Sequence, residues 1–378
     1  MRVLLTGGGS GGHVNPAIAI ADTIRMNQPD AEIAFVGVKG GKECDLVPRA
    51  GYPLYYVESQ GIRRSLSPSN IKALVTAVTS PHSKQTKDIL TNFKPDIVIG
   101  TGGYVCWPLL RAAAYAGIPT MVHESNCQPG LAVKMLQYSV DTILLNFPQA
   151  EEHLHKKKKC MVVGNPLRGG FGAISKEAAR NKIGLADDEM LVLCSAGSLG
   201  SSIINEAVLD MLRLMAPARP NTRFVLSAGT RNIEAAQALY REYELDRCPN
   251  VTVEAYIYDM PTQIAAADVV ISRAGAMSLS EVARMGKACV VIPSPYVADN
   301  HQLRNATAMA DREAALMVEE KDFSGGALPL AVNALLDDAV LRHTLEKNIR
   351  SFVNEDANRL IYDKIVEAVA QYRARQNQ

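Results

Sequence analysis

Apolar residues along this chain fall in short continuous runs, separated by stretches in which they recur at helical spacing. Val3-Leu4-Leu5, Ile33 to Val38, Ile97 to Gly100, Pro119 to His123 and Thr142 to Leu145 read as short strands. Their lack of polar alternation is the mark of strands buried on both faces. After the first of them, Ala17-Ile18-x-Ile20-Ala21-x-x-Ile24 has the period of a helix. The pattern restarts at Leu191-Val192-Leu193-Cys194, with a helix over Ile203–Leu214 and strands at Phe224–Ser227, Val251–Ala255, Asp268–Ile271 and Cys289–Ile292. Asn165-Pro166, within Val163-Gly164-Asn165-Pro166-Leu167-Arg168, breaks regular structure between the halves. Asp356 to Arg375 reads as one long helix, with Leu360, Ile361, Ile365, Val366 and Val369 on its apolar positions. Strands alternating with helices predict an α/β protein of two units, each a parallel sheet covered on both faces. Two such sheets facing each other would leave a cleft at the carboxyl ends of their strands, where α/β folds bind ligands.

Each unit opens with a strand, a glycine-rich turn and a helix. In the first the turn is Thr6-Gly7-Gly8-Gly9-Ser10-Gly11-Gly12-His13. A turn of this kind brings backbone N–H groups and a helix N-terminus against a ligand with no side chains in the way. Gly7, Gly9 and Gly12 match the dinucleotide fingerprint literally, but that fold wants an acid at the end of the second strand to hold a ribose. Here the second strand runs into Lys39-Gly40-Gly41-Lys42, so no acid is expected at its tip. The loop ends on His13, a titratable side chain where a bound molecule would lie. A histidine at a helix start can simply hydrogen-bond its own loop; beside so many glycines, we read it as a catalytic base.

Composition narrows the classes. A chain of 378 residues is long enough for two ordinary domains, and 47% hydrophobic with 21% charged residues is ordinary for a globular protein. A net charge of +1 gives no global field that points to nucleic acid. Seven scattered cysteines without a C-x-x-C pair read as reduced thiols, neither disulfides nor zinc ligands. No apolar run approaches the ~20 residues of a membrane span, and the chain enters a strand at once, so neither a span nor a signal peptide is expected. Any membrane contact is then peripheral.

The second unit carries its own small-residue turns. Gly197-Ser198-Leu199-Gly200 offers amides, a hydroxyl and a helix dipole to an anion. A denser segment runs from Tyr256-Ile257-Tyr258-Asp259-Met260 through Ser272-Arg273-Ala274-Gly275-Ala276-Met277-Ser278-Leu279-Ser280-Glu281. It predicts a buried strand ending at Ser272, a tight turn, and a helix beginning near Met277. Glu281, one turn in, can accept hydrogen bonds from two vicinal hydroxyls, although an acid is also favoured there by the helix dipole alone. Asp299-Asn300-His301-Gln302 follows a strand and suits hydroxyl recognition; a capped helix N-terminus is the plainer alternative. Gly100-Thr101-Gly102-Gly103-Tyr104 and His123-Glu124-Ser125-Asn126 fall at the same end of the first sheet as His13.

Taken together, and with Val163-Gly164-Asn165-Pro166-Leu167-Arg168, these segments resemble the MurG family, the N-acetylglucosaminyltransferases of peptidoglycan synthesis, in the family's order over nearly the whole chain. The resemblance implies the GT-B architecture, two Rossmann-like domains with parallel sheets facing a central cleft. It implies an N-terminal acceptor and membrane-binding domain over 1–165, a UDP-GlcNAc-binding domain over 166–350, and a terminal helical segment, 351–378, packing back on the first. The implied reaction moves GlcNAc from UDP-GlcNAc to the muramyl 4-hydroxyl of lipid I, with inversion, to give lipid II at the cytoplasmic side of the cell membrane. By position, Ser10, Gly11 and Gly12 should line the sugar and acceptor side, and Asn126 should contact the donor sugar. Arg168 and Ser198 should contact the diphosphate, and Ile257 should bond uracil through its backbone. Ala276, Met277, Ser278, Leu279, Ser280 and Glu281 should wrap the nucleotide, with Glu281 on the ribose. His301 and Gln302 should meet the sugar hydroxyls. Leu199 and His301 stand where members often carry glutamine. No metal or other cofactor is expected, because helix N-termini and Arg168 can stabilise departing UDP and the chain has no D-x-D pair.

A lipid-linked acceptor gives meaning to residues 62–94, where Arg63, Arg64, Lys72, Lys84, Lys87 and Lys94 face a single acid, Asp88. Ile71, Leu74, Val75 and Val78 form an apolar helical face within this stretch. Periodicity alone equally suits a core-facing helix; a lipid substrate favours an anionic membrane surface. Lys156 to Lys159 reads as a solvated loop that can add to the same field. The competing readings are another sugar-nucleotide enzyme of this fold, such as a lipid glycosyltransferase or a UDP-GlcNAc epimerase, a nicotinamide oxidoreductase, and a non-catalytic sugar-nucleotide-binding subunit.

Overall fold

A computed structural model describes residues 1–58, 84–197, 200–297 and 300–376. It divides into two compact units, one of Met1–Arg168 with Asn354–Gln378, the other of Gly169–Val353. Unit 1 is built on a seven-stranded, all-parallel sheet: β1 (Arg2–Thr6), β2 (Glu32–Gly37), β3 (Leu54–Tyr56), β4 (Ile97–Gly100), β5 (Thr120–Glu124), β6 (Thr142–Leu145) and β7 (Cys160–Val162). Their spatial order is β3-β2-β1-β4-β5-β6-β7. Unit 2 repeats the plan with β8 (Met190–Ser195), β9 (Thr222–Ser227), β10 (Val251–Glu254), β11 (Val269–Arg273), β12 (Ala288–Ile292) and β13 (Leu316–Met317), in the order β10-β9-β8-β11-β12-β13. Both are Rossmann-like α/β sheets, as the strand pattern predicts. The strands that the pattern does not announce are β3, β7 and β13. Each is short, and the two-residue β13 offers no apolar run to read.

Alternation along each strand sorts the core into two layers per unit. Val3 and Leu5 point to one face of the first sheet, with α1 (Gly11–Asn27), while Leu4 points to the other, with the helices Cys106–Tyr115 and Leu131–Leu136. Helix α1 is buried on nearly every side, through Val14, Ala17, Ile18, Ile20, Ala21 and Ile24. A helix apolar all round needs a cover on its outer side as well as the sheet beneath. The terminal helix Ala357–Gln376 contributes Ile361, Ile365 and Val369 to the same apolar cluster. Asn358 Nδ2 donates to Thr23 Oγ1 on α1 (2.9 Å), and Arg373 pairs with Asp96 at the foot of β4 (2.8 Å). The last segment of the chain thus completes the core of the first unit.

Ile365 has no exposed surface. Ile365→Ala should cost about 2–5 kcal/mol, the range for emptying a buried aliphatic site. Denaturant unfolding followed by a probe in unit 1 should show the lowered midpoint; an unchanged midpoint would mean the helix contributes nothing to that core.

Candidate active site

In each sheet the order reverses direction once, between β1 and β4 and between β8 and β11. The loops leaving those strands diverge, which opens a crevice at their carboxyl ends. The first crevice holds the glycine loop. Thr6, the last residue of β1, pairs with Gly100, the last of β4. The turn after β4 therefore lies against the loop after β1, and Gly8 N donates to Gly102 O (3.4 Å). Thr101 Oγ1 donates to the His13 carbonyl at 2.6 Å, tying the start of α1 to β4.

His13 sits half-buried in this junction. Its Nδ1 lies 3.1 Å from Gly8 O and 3.2 Å from Ser10 Oγ. A carbonyl only accepts, so Nδ1 carries the proton and Nε2 keeps its lone pair. A side chain on Gly102 would place its Cβ 2.7 Å from the His13 ring, and one on Gly103 would collide with the Gly8 carbonyl. Both residues also have positive φ, 103° and 82°, so glycine is required twice over. Burial holds the His13 pKa below its ordinary 6.5, against opposing contributions from the Gly8 carbonyl and the Glu43 charge. The ring is neutral at pH 7 and can take a proton through Nε2.

One sequence expectation is corrected here. An acid does sit at the tip of β2: the Glu43 carboxylate folds back from the first turn of α2 (Glu43–Arg49) and accepts the Val38 N–H at 3.1 Å. It also accepts the Gly9 N–H at 3.1 Å and is 1% exposed. With both oxygens occupied by amides it is closed to a ribose, so the case against a dinucleotide site survives on different grounds.

After β5, Glu124 organises the next loop. Its Oε1 accepts from Asn126 N and Nδ2, both at 3.0 Å, and its Oε2 from Gly130 N at 2.8 Å. Asn126 is thereby set on the same rim as His13. His123 is fully buried, with Nε2 2.9 Å from Gly164 O, and burial drives its pKa down to about 4. Arg168 closes unit 1, its Nε 3.5 Å from Asp22 Oδ2 on α1, so it belongs with the first unit and not, as the 166 boundary had it, with the second.

The second crevice is built around Arg273 at the end of β11. Its Nη2 donates to Ser201 Oγ at 2.8 Å, and its Nη1 pairs with Glu320 at 2.5 Å. Ser201 begins the helix Ser202–Ala218, and neither this helix nor Ala276–Arg284 has a side-chain cap on its first amides. Helix N-termini at a sheet's carboxyl edge are ready anion sites. Ala276, Met277, Leu279 and Ser280 are buried, and Leu279 packs into the core, so this segment offers a ligand backbone more than side chain. Ser278 is half-buried on the same turn. The Glu281 carboxyl is pushed up to about 7 by burial. Ile257 is 5% exposed with its side chain in the core, which leaves its backbone for recognition. Gln302 Oε1 accepts the Ser294 N–H at 2.9 Å and so braces the loop after β12, while His301 starts the next helix. Ser198, Leu199, Asp299 and the face Ile71, Leu74, Val75 and Val78 lie outside the described residues. Among the described residues no group of three or more His, Cys, Asp or Glu side chains is arranged to hold a metal.

The residues that sequence reasoning did not single out are Glu43, Glu124 and Arg273. Glu124 and Arg273 stand inside segments that drew attention for their neighbours. Glu43 carries no signal at all, since it returns to the loop only through the fold of α2.

Comparison with known proteins defines the class. Residues 3–145 match the glycosyltransferase family 28 N-terminal domain, and residues 191–360 the C-terminal domain of the same family. A UDP-N-acetylglucosamine--N-acetylmuramyl-(pentapeptide) pyrophosphoryl-undecaprenol N-acetylglucosamine transferase of Thermoanaerobacter sp. (strain X514) is 37% identical over 98% of this chain and 100% of its own length. Acinetobacter baumannii MurG superposes with a TM-score of 0.75 at 26% identity, over 97% of this chain and 99% of that one. A UDP-GlcNAc 2-epimerase from Neisseria meningitidis bound to UDP-GlcNAc gives 0.67 at 13% identity, covering 97% of this chain and 100% of the epimerase, a likeness of fold alone. The chain belongs to glycosyltransferase family 28 and, within it, to the MurG family that its motifs resemble.

Burial of neutral His123 has a consequence for stability. Its folded pKa lies below the unfolded 6.5, so below pH 6.5 the unfolded state binds the extra proton and stability falls with pH down to about 4. The loss is about 3 kcal/mol across that window. Urea midpoints measured from pH 7 to 4 should fall less steeply in His123→Gln than in the wild type; equal slopes would refute the assignment.

Proposed function

We propose that this protein transfers N-acetylglucosamine from UDP-N-acetylglucosamine to the muramyl 4-hydroxyl of lipid I, with inversion, forming lipid II in peptidoglycan synthesis. What carries the reading is 37% identity over 98% of the chain to a transferase so named, together with a neutral, oriented histidine at the first switch point. The acceptor hydroxyl gives its proton to His13 Nε2 as its oxygen bonds to the anomeric carbon. The bond from that carbon to the β-phosphate oxygen breaks, and UDP leaves with the electron pair. Ser10, Gly11 and Gly12 line the acceptor side, and Asn126, His301 and Gln302 meet the donor sugar. The helix N-termini of unit 2, with Ser198 and Arg168, take up the charge that develops on UDP. Ile257 reads uracil through its backbone, residues 276–281 wrap the nucleotide, and Glu281 accepts from the ribose hydroxyls.

These assignments separate by experiment. His13→Ala should lower turnover by about 10²–10⁴, the usual contribution of a general base, with UDP affinity near wild type. Because burial raises the Glu281 carboxyl to about 7 and ribose hydroxyls favour its ionised form, UDP affinity should rise from pH 6 to 8. Calorimetry should find that rise abolished in Glu281→Gln. Wild-type turnover in the first variant, or an unchanged pH dependence in the second, refutes the respective role.

The acceptor's lipid supports a second element of the proposal, attachment of unit 1 to an anionic inner-leaflet surface. Arg111 lies between the rings of Trp107 (5.0 Å) and Tyr115 (4.9 Å) and donates to Ser139 Oγ at 2.9 Å. Next to Ser139, exposed Tyr138 carries Lys156 over its ring at 5.6 Å, ahead of the turn Lys157–Lys159. Amphipathic aromatic rings beside cations are the composition of a membrane-interface surface. Among the described residues no helix is long and apolar enough to cross a membrane. Tyr115→Glu with Lys156→Glu, and separately Leu74→Asp with Val75→Asp, should reduce co-sedimentation with anionic vesicles at unchanged UDP affinity. Each cation near such a surface contributes about 1 kcal/mol. Full vesicle binding by both variants would refute the surface.

A further inference from the structure

Glu43 is a carboxylate with 1% exposure, and no ion-pair partner accompanies it among the described residues. Its surroundings are shaped for it. A Cβ added at Gly8 or Gly37 would lie 2.5 Å from its atoms, and one at Gly41 would overlap its carboxylate. Three turns, after β1, at the end of β2 and before α2, thus give up side chains around one acid. The two backbone amides that it accepts, Gly9 N–H and Val38 N–H, belong to different loops. An isolated buried charge is costly unless hydrogen-bonded, so an apolar residue would fill this space at lower cost.

What the carboxylate holds is the segment that orients His13. Gly9 follows Gly8, whose carbonyl accepts the His13 Nδ1 proton, and Gly8 itself packs on the acid. Among the described residues, the titratable groups that face the ring and its loop are Glu43 on α2, Tyr104 on the turn after β4, and Cys106 at the start of the next helix, while the Cys44 thiol turns to the Val38 carbonyl. Burial raises Tyr104 and lifts Cys106 to about 12, so both are uncharged at neutral pH. Glu43 is the charge that acts on His13, and it favours the imidazolium.

We propose that Glu43 is a positioning residue for the transfer reaction: it fixes the Gly8–Gly9 turn so that the Gly8 carbonyl keeps the proton on His13 Nδ1, and its charge supports the imidazolium formed when Nε2 takes the acceptor proton. The proposal rests on His13 as base. The proton leaves the muramyl hydroxyl for Nε2, and none passes to Glu43. The arrangement parallels in role, through a backbone carbonyl and without direct contact, a carboxylate that stabilises a catalytic imidazolium.

The test is E43Q, which keeps shape and one accepting oxygen but loses the charge. Turnover with UDP-GlcNAc and a lipid I analogue should fall at least about tenfold, since small misplacements of a reacting group cost up to ~10². The KM for UDP-GlcNAc should hold. The acid limb of the kcat profile should move to lower pH, because an imidazolium without its nearby anion loses its proton more easily. The His13 ring titration, followed by NMR, should move the same way. Adding E43Q to His13→Ala should change the residual rate less than about twofold if Glu43 acts through His13. E43D keeps the charge but cannot reach both amides; it should keep the wild-type ring titration and lose turnover, and it serves should E43Q not fold. An unmoved ring titration in E43Q, or wild-type kcat in E43D, overturns the proposal. If His13→Ala itself keeps full turnover, the base assignment falls, and with it the catalytic part of the proposal, while the ring titration still reads the Glu43 charge.

Discussion

The arrangement of this molecule depends on one geometric constraint, the single reversal of strand order in a parallel sheet. On either side of the pair β1 and β4, the crossovers leave toward opposite faces. Between them the carboxyl edge is uncovered, and only backbone-thin loops can approach there without filling it. The glycine loop meets this condition, and Thr101 and the Gly102–Gly103 turn press against it from the neighbouring strand. His13 lies in the junction so formed, and its orientation follows from what surrounds it. Unit 2 repeats the topology with β8 and β11, and there the edge is held open by an arginine bridging Ser201 and Glu320.

The two crevices differ in electrostatic character. The first is poor in exposed charge: a neutral imidazole, a neutral thiol and a carboxylate sealed beneath the loop. Proton transfer suits such a place, because a ring that stays uncharged at neutral pH can accept a proton. The second offers two helix N-termini, a fixed guanidinium and a carboxyl near its midpoint of ionisation. A diphosphate and a diol would meet complementary partners there.

Much of this was legible from residue order. Runs such as Val3-Leu4-Leu5 and Leu191 to Cys194 mark central strands because burial on both faces leaves no polar alternation. Edge strands β3 and β13 lack that pressure and leave no such mark. The glycine loop, the turn after β4 and the loop after β5 were visible because they are strand-following segments of small or polar residues. Glu43 was not. Its importance comes from a return path through α2 that brings it under a loop more than thirty residues earlier in the chain, and a lone acid after a lysine resembles any solvated helix start. Arg273 stands within a motif of small residues, and only the packed position of Ser201 shows what its guanidinium reaches.

The terminal helix has a bearing on how the chain is made. Unit 1 is discontinuous: its sheet comes from residues before Gly169, and the cover over α1 comes from residues after Val353. During synthesis, unit 2 is complete before the first unit can be. Until Ile361, Ile365 and Val369 emerge, α1 presents a bare apolar flank beside the glycine loop. The first-made half is therefore the last to complete its core, once the segment after Val353 has emerged.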